Sequence, residues 1–145
     1  MGYVKIWVHL VWTTKYREPT LTKEIRQEIF KHIRENAKKK GIYIDFINGY
    51  LDHVHCLISL GNGQTIDKIV MLLKGESSYW VNKNRIVRKK FEWQDDYFAV
   101  SVCESALNRV RNYIKNQENH HRKKPYEKEY QEFIRKYGFE TIVSG

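Results

Sequence analysis

The chain has 145 residues, 41% of them hydrophobic, with ten tyrosines and four tryptophans; that excludes global disorder and fits one domain with a real core. A formal charge of +9, from 26 basic against 17 acidic residues, points to a polyanionic partner, most simply nucleic acid. Two cysteines without a CxxC pair argue against a disulfide framework or a thiolate zinc site, and with no signal-peptide pattern or membrane-length apolar run the expectation is a cytoplasmic protein without a membrane partner.

Val4–Thr13 is apolar almost throughout and rich in β-branched and aromatic residues, which predicts a buried central strand. His9 inside it reads as a hydrogen-bonded structural histidine. Lys15, Tyr16 and Arg17 form a basic turn before Pro19. Leu21, Ile25, Ile29, Ile33 and Ala37 recur every four residues and predict a helix over Leu21–Lys40, with Thr20 or Thr22 as cap and Gly41 as stop. Ile42–Tyr50 and Asp52–Leu60 follow as strands of an antiparallel hairpin, turning at Asn48-Gly49 or at Leu51-Asp52. Thr65–Asn84 is a second helix, capped by Thr65 and burying Ile66, Ile69, Val70 and Leu73; Gly75 marks a close approach or bend. Lys83, Arg85, Arg88, Lys89 and Lys90 make the densest basic cluster, suited to phosphate contact, as are Lys15 and Arg17. Tyr97–Cys103 alternates as a fourth strand, with Cys56 and Cys103 both read as small core residues. Helices over Ala106–His120, capped by Ser105, and over Pro125–Tyr137, stopped by Gly138, complete the chain. The order is that of an α+β, ferredoxin-like βαββαβ antiparallel sheet with additional C-terminal helices. No repeat, low-complexity tract or linker divides it, so 1–145 reads as a single domain.

In that topology the first and third strands are central. Strand alternation puts His53 and His55 on one face, about 6–7 Å apart, where two imidazoles can converge on one metal ion. On the third helix Tyr113 and Gln117 are four positions apart and share a face. Phosphodiester transfer would join these pieces. A tyrosine can form a covalent intermediate once its phenol is activated, and a divalent metal would neutralise charge on the scissile phosphate. Two imidazoles and the Gln117 amide oxygen make a neutral ligand set that suits Mn²⁺, with Mg²⁺ the abundant alternative.

The blocks HLVWTTKYREP (9–19), DHVHCLISL (52–60), KGESSYWVN (74–82), FEWQDDYFAVSV (91–102) and NYIKNQENHHRKK (112–124) together resemble the single-tyrosine transposases of the insertion-sequence 200/605 family, within the HUH endonuclease superfamily. The histidine–hydrophobic–histidine motif and Tyr-x3-Gln stand in the family's order. The resemblance implies His53, His55 and Gln117 as ligands of Mg²⁺ or Mn²⁺ and Tyr113 as nucleophile. Tyr113 would attack single-stranded DNA to leave a 5′-phosphotyrosine link and a free 3′-OH, with rejoining that needs no ATP. It further implies recognition of DNA hairpins at element ends, and a homodimer, its fourth strands paired, in which one subunit's tyrosine helix can complete the other's site in trans. Asp95, Asp96 and Phe98 depart from a block where the family often has glycines. His120, seven residues beyond Tyr113, is a candidate auxiliary group or an ordinary helix-end histidine.

Two other classes fit parts of the sequence. A non-catalytic nucleic-acid-binding module, or a domesticated relative that processes host repeat hairpins, would use the charge and aromatics without mobilising an element. A metal-dependent phosphohydrolase would release product with no protein–DNA adduct.

Overall fold

The computed structural model describes residues 3–119 together with 128, 131, 132, 135 and 136. Four strands, β1 (Ile6–Thr13), β2 (Tyr43–Gly49), β3 (His53–Leu60) and β4 (Phe98–Val102), form one sheet in the order β2-β3-β1-β4. Every neighbouring pair is antiparallel. Helix α1 (Lys23–Lys39) connects β1 to β2, α2 (Ile66–Lys83) connects β3 to β4, and α3 (Leu107–Lys115) follows β4. This is the expected βαββαβ arrangement with β1 and β3 central.

Alternation divides the sheet into two faces. Val8, Leu10 and Trp12 of β1 and Val54, Cys56 and Ile58 of β3 pack against the apolar stripes of α1 and α2. Burial of each large aliphatic side chain there contributes about 1.5–3 kcal/mol. Trp7 and Leu57 face the other way, where Val102, Ala106, Leu107 and Ile114 cover them. Among the described residues that second cluster holds six buried side chains against nineteen in the first. The α1–α2 layer therefore carries most of the hydrophobic stabilisation, and α3 rests on a small apolar patch supplemented by polar contacts.

Some local expectations hold and others do not: of the two turns expected for the β2–β3 hairpin, the one at Leu51-Asp52 forms. The β2–β3 hairpin turns at residues 50–52, closed by the Tyr50 N–H donating to the His53 carbonyl at 3.1 Å. Gly49 is then a strand residue in a tight place: a Cβ there would lie 2.1 Å from the His53 carbonyl oxygen. Gly49→Ala is expected to lower stability by about 1–3 kcal/mol through overpacking, read as a drop in the thermal unfolding midpoint. Gly75 was expected to mark a close approach or bend, but α2 runs on through it and no atom outside the helix backbone comes within 4 Å of the Cβ position.

Ser105 does not cap α3. It sits inside a 3-10 turn, Glu104–Ala106, whose cap position is Cys103, and its hydroxyl lies 3.3 Å from the Cys103 sulfur. Cys103 is exposed, whereas Cys56 is fully buried, its thiol pushed up to about 12 by burial. The α3 helix stops at Lys115; Asn116 is a turn residue, and helix resumes at 117–119. Of the helix expected over Pro125–Tyr137, residues 128, 131, 132, 135 and 136 are described; those five are helical and exposed. The rest of that helix, Gly138 and His120 lie outside the described residues. Among the described residues no helix is long and apolar enough to cross a membrane.

Candidate active site and nucleic-acid interface

The register of β1 on β3 sets Val11 opposite His55 and Thr13 opposite His53. Directly paired residues share a face, so both histidines lie on the side that α3 covers. Both are buried, with ring centroids 5.1 Å apart and planes nearly perpendicular.

A β-bulge in β2 between Ile44 and Phe46 brings Asn48 opposite His55 and turns Asp45 toward α3. Asp45 accepts two bonds from the Arg111 guanidinium, at 2.6 and 3.1 Å. Asn48 donates its amide N–H groups to the carbonyls of Ile114 and Lys115, at 2.9 and 3.1 Å, where the helix has run out of partners of its own. Beyond the Asn116 turn, Glu118 accepts from Arg26 of α1 at 2.6 Å; Arg26 is itself buried and also donates to the Leu21 carbonyl. These three contacts hold α3 across the chain's own β2 and β3.

So held, the helix brings Tyr113 and Gln117 to the histidines of the same chain. Gln117 is fully buried; its amide N–H donates to the Tyr113 carbonyl at 3.1 Å, which turns Oε1 toward His53 Nε2 at 3.2 Å. On the far side of that ring, Nδ1–H of His53 faces the Asp52 carboxylate at 2.8 Å. His53 Nε2 and Gln117 Oε1 thus face each other at 3.2 Å inside the buried pocket, where either a shared proton or a metal ion could join them. Their 3.2 Å separation is close to the roughly 3.0 Å between neighbouring ligand atoms on an octahedral ion with bonds of about 2.1 Å. The half-buried Tyr113 ring stands edge-on to His55, centroids 5.4 Å apart, and to His9 at 6.2 Å.

His9 has a larger part than a purely structural histidine. It is buried and hydrogen-bonded, as expected, but its partner is His55: Nε2 of His9 lies 2.9 Å from Nδ1 of His55. Burial, ahead of the neighbouring His55 and Lys136 charges, holds the His9 pKa well below the ordinary histidine range. A neutral His9 can accept the Nδ1–H of His55, which presents His55 Nε2 as the ligating nitrogen, and Asp52 orients His53 in the same manner. The strand register that couples His9 to His55 is not written in either strand alone. Among the described residues no three His, Cys, Asp or Glu side chains form a metal-holding group; the set assembled here is two imidazoles and an amide oxygen.

The basic candidates divide. Lys15, Arg88, Lys89 and Lys90 line one cleft of about 520 Å³. Arg17 lines a neighbouring cleft of about 510 Å³ with Gln94, Tyr97 and Phe98, floored by Val11 and Thr13 on the histidine face. Tyr16 borders both. Glu92 tempers the first cleft, pairing with Lys15 at 3.1 Å and Lys90 at 3.4 Å. Lys83 and Arg85 do not line either cleft; the Lys83 ammonium lies over the Tyr79 ring, and Arg85 occupies a left-handed turn position at φ 52. The Asp95–Asp96 departure is accommodated by Lys74, which donates to the carbonyls of Gln94, Asp95 and Asp96 and so braces the loop that enters β4.

The chain is 30% identical over 122 residues to the ISDra2 transposase TnpA of Deinococcus radiodurans, covering 80% of this chain and 87% of that protein. A transposase crystal structure from Deinococcus radiodurans R1 superimposes with a TM-score of 0.65 at 28% identity, over 81% of this chain and 95% of that one. The structure of a REP-associated tyrosine transposase bound to a REP hairpin matches with a TM-score of 0.63, over 83% of this chain and 72% of that one; at 15% identity it speaks for the fold alone. The family model for IS200-like transposases matches residues 3–117, a span that takes in both histidines, Tyr113 and Gln117, and the chain therefore belongs to the IS200-like transposase family.

Proposed function

We propose that this chain cleaves and rejoins single-stranded DNA at sites set by DNA hairpins, with Tyr113 as the nucleophile. The observation that carries the reading is the convergence, on one face of one sheet, of the Tyr113 ring against His55 and of Gln117 Oε1 against His53 Nε2. The Tyr113 oxygen would bond to the scissile phosphorus as the bond to the 3′-oxygen breaks. The protein would then hold a 5′-phosphotyrosine, and the departing strand a 3′-OH, the phenol losing one proton and the 3′-oxygen gaining one. Attack by a 3′-OH on that link reverses the exchange without ATP. His53, His55 and Gln117 would hold Mg²⁺ or Mn²⁺, which when bound supplies charge neutralisation and polarisation of the phosphate. Asp52 and His9 orient the two imidazoles, and the Tyr113 carbonyl orients the amide. A second copy would extend the sheet along β4, which stands at its edge.

The test is a denaturing gel of protein mixed with labelled single-stranded hairpin oligonucleotides from both flanks of its own gene. A covalent band with Mg²⁺ or Mn²⁺ that disappears with EDTA is the expected result. Native-gel binding with no covalent band under either metal would favour a hairpin-binding module instead.

Phosphate contact is assigned to Lys15 and Arg88–Lys90, the residues of one cleft. Replacing Arg88, Lys89 and Lys90 together by alanine is expected to weaken hairpin binding and to flatten the slope of log affinity against log salt by up to about 3. Glu92→Gln, which releases Lys15 and Lys90, should tighten binding. A salt slope unchanged in the triple variant would remove the cleft from the interface.

A further inference from the structure

Tyr16 stands where the two clefts meet and lines both. It is 80% exposed, with the Lys15 ammonium 5.7 Å from its ring centre. Its backbone is left-handed at φ 57, and that of Arg17 follows at φ 52. Two consecutive non-glycine residues in that region are strained, and a turn serving only to reverse the chain would favour glycine or asparagine there. The turn is nevertheless firmly held. The Tyr16 N–H donates to Gln94 Oε1 at 3.2 Å, Lys15 N–H to the Glu92 carbonyl at 3.1 Å, and Arg17 N–H to the Thr14 carbonyl at 3.0 Å. Strain kept in place by surrounding contacts is a mark of a functional position.

The two clefts differ in chemistry. The first is basic and suits a phosphate backbone. The second has aromatic walls in Tyr97 and Phe98, and its floor residues Thr13 and Val11 pair with His53 and His55 across β1–β3. It therefore opens about 5 Å, one strand spacing, from the histidines. A nucleic-acid strand running from the basic cleft to the histidine face would cross the ridge that Tyr16 forms.

We propose that the Tyr16 ring stacks on an unpaired base of the DNA substrate, at the point where the strand leaves the basic cleft and enters the aromatic one. Stacking on an aromatic side chain tolerates any base and is used where single strands are tracked without sequence readout. This inference rests on the reading of the chain as a single-strand DNA transferase and adds to it a specific contact between hairpin and scissile phosphate.

The experiment uses the full chain and two hairpin probes from the gene's flanks. One is blunt; the other carries a single-stranded extension, with 2-aminopurine placed at each unpaired position in turn. The extended probe is expected to bind about 5- to 100-fold more tightly than the blunt one, with fluorescence quenched at one or two adjacent positions. Tyr16→Gly should erase both the preference and the quenching and leave blunt-hairpin affinity within about twofold, while Tyr16→Trp should keep both. The glycine variant is decisive because it accepts the left-handed backbone without strain. A ring with a merely structural role predicts DNA binding that is unchanged or improved in that variant. Extension preference and quenching that survive Tyr16→Gly, in a protein whose wild type forms the covalent adduct, would overturn this inference alone. A wild type that forms no adduct would overturn the parent reading and this one with it.

Discussion

Tyr113→Phe is expected to reduce covalent DNA attachment by on the order of 10⁴-fold or more while leaving hairpin binding within about twofold. On the proposed mechanism, removing the Tyr113 hydroxyl leaves no route to a protein–DNA bond, and losses of this size are usual when a nucleophile is deleted. The substitution is clean because of how Tyr113 is held. Its ring packs on the Trp7–Leu57–Ile114 cluster and meets His55 and His9 edge-on at 5.4 and 6.2 Å. Phenylalanine keeps that surface and both edge contacts, so thermal stability should change by less than about 1 kcal/mol. Tyr113→Ala would be a poorer test, because it also opens a cavity in the smaller of the two apolar clusters, the one on which α3 depends. The measurements are the denaturing gel for the adduct, a native gel for binding and a thermal melt. An adduct that persists in the phenylalanine variant would remove Tyr113 from its role.

The placement of Tyr113 over its own chain's histidines follows from contacts that have little to do with the tyrosine. Arg111 grips Asp45, Asn48 caps the carbonyls at the end of α3, and Arg26 holds Glu118. Charge-assisted and bidentate bonds of this kind are geometrically specific as well as favourable. They compensate for the modest apolar patch beneath α3 and make the helix a unit latched onto the sheet, unlike α1 and α2, which are buried into it.

What could be read from the sequence was what periodicity encodes. The β3 alternation fixes which residues share a face whatever the partner strand is, so His53 and His55 were legible as a pair. The 3.6-residue stripes of α1 and α2, and the Tyr113–Gln117 spacing, were legible for the same reason. The resemblance of the longer blocks implies roles that spacing alone does not. Features that depend on register or on close approach were hidden. The His9–His55 bond requires knowing that β1 lies against β3 with Val11 opposite His55. The bulge at Asp45 is a register shift between β2 and β3, and the need for glycine at 49 comes from the His53 carbonyl of the neighbouring strand. Arg26 is buried although it stands off the apolar stripe of α1, and its ion-pair partner Glu118 lies 92 positions away. Ser105 is not the cap and Cys103 is not in the core because a 3-10 turn over Glu104–Ala106 stands between β4 and α3 and moves the cap of α3 to Ala106, which no local pattern announces.

Loss of either histidine should abolish metal binding, and the loss should be visible without any DNA. The wild type is expected to melt at a higher temperature with Mn²⁺, because a ligand that binds only the folded state stabilises it by about 2.7 kcal/mol at one hundred times its dissociation constant. His53→Ala removes the nitrogen that faces Gln117 Oε1, and His55→Ala removes the ring adjoining Tyr113. Each variant should lose the Mn²⁺-dependent shift, and its adduct yield should fall by on the order of 10³-fold. His9→Phe provides the graded comparison. It keeps an aromatic ring in a buried site but removes the nitrogen 2.9 Å from His55 Nδ1, so His55 retains its place and loses its orienting partner. Outer-shell changes of this kind cost about 10–100-fold in metal affinity or activity. The His9→Phe protein should therefore need more Mn²⁺ to reach the same shift, and saturating metal should restore much of its adduct, whereas no concentration should rescue His53→Ala. A full Mn²⁺ shift in His53→Ala would show that the metal sits elsewhere. Equal, unrescuable loss in His9→Phe would place His9 among the ligands and not behind them.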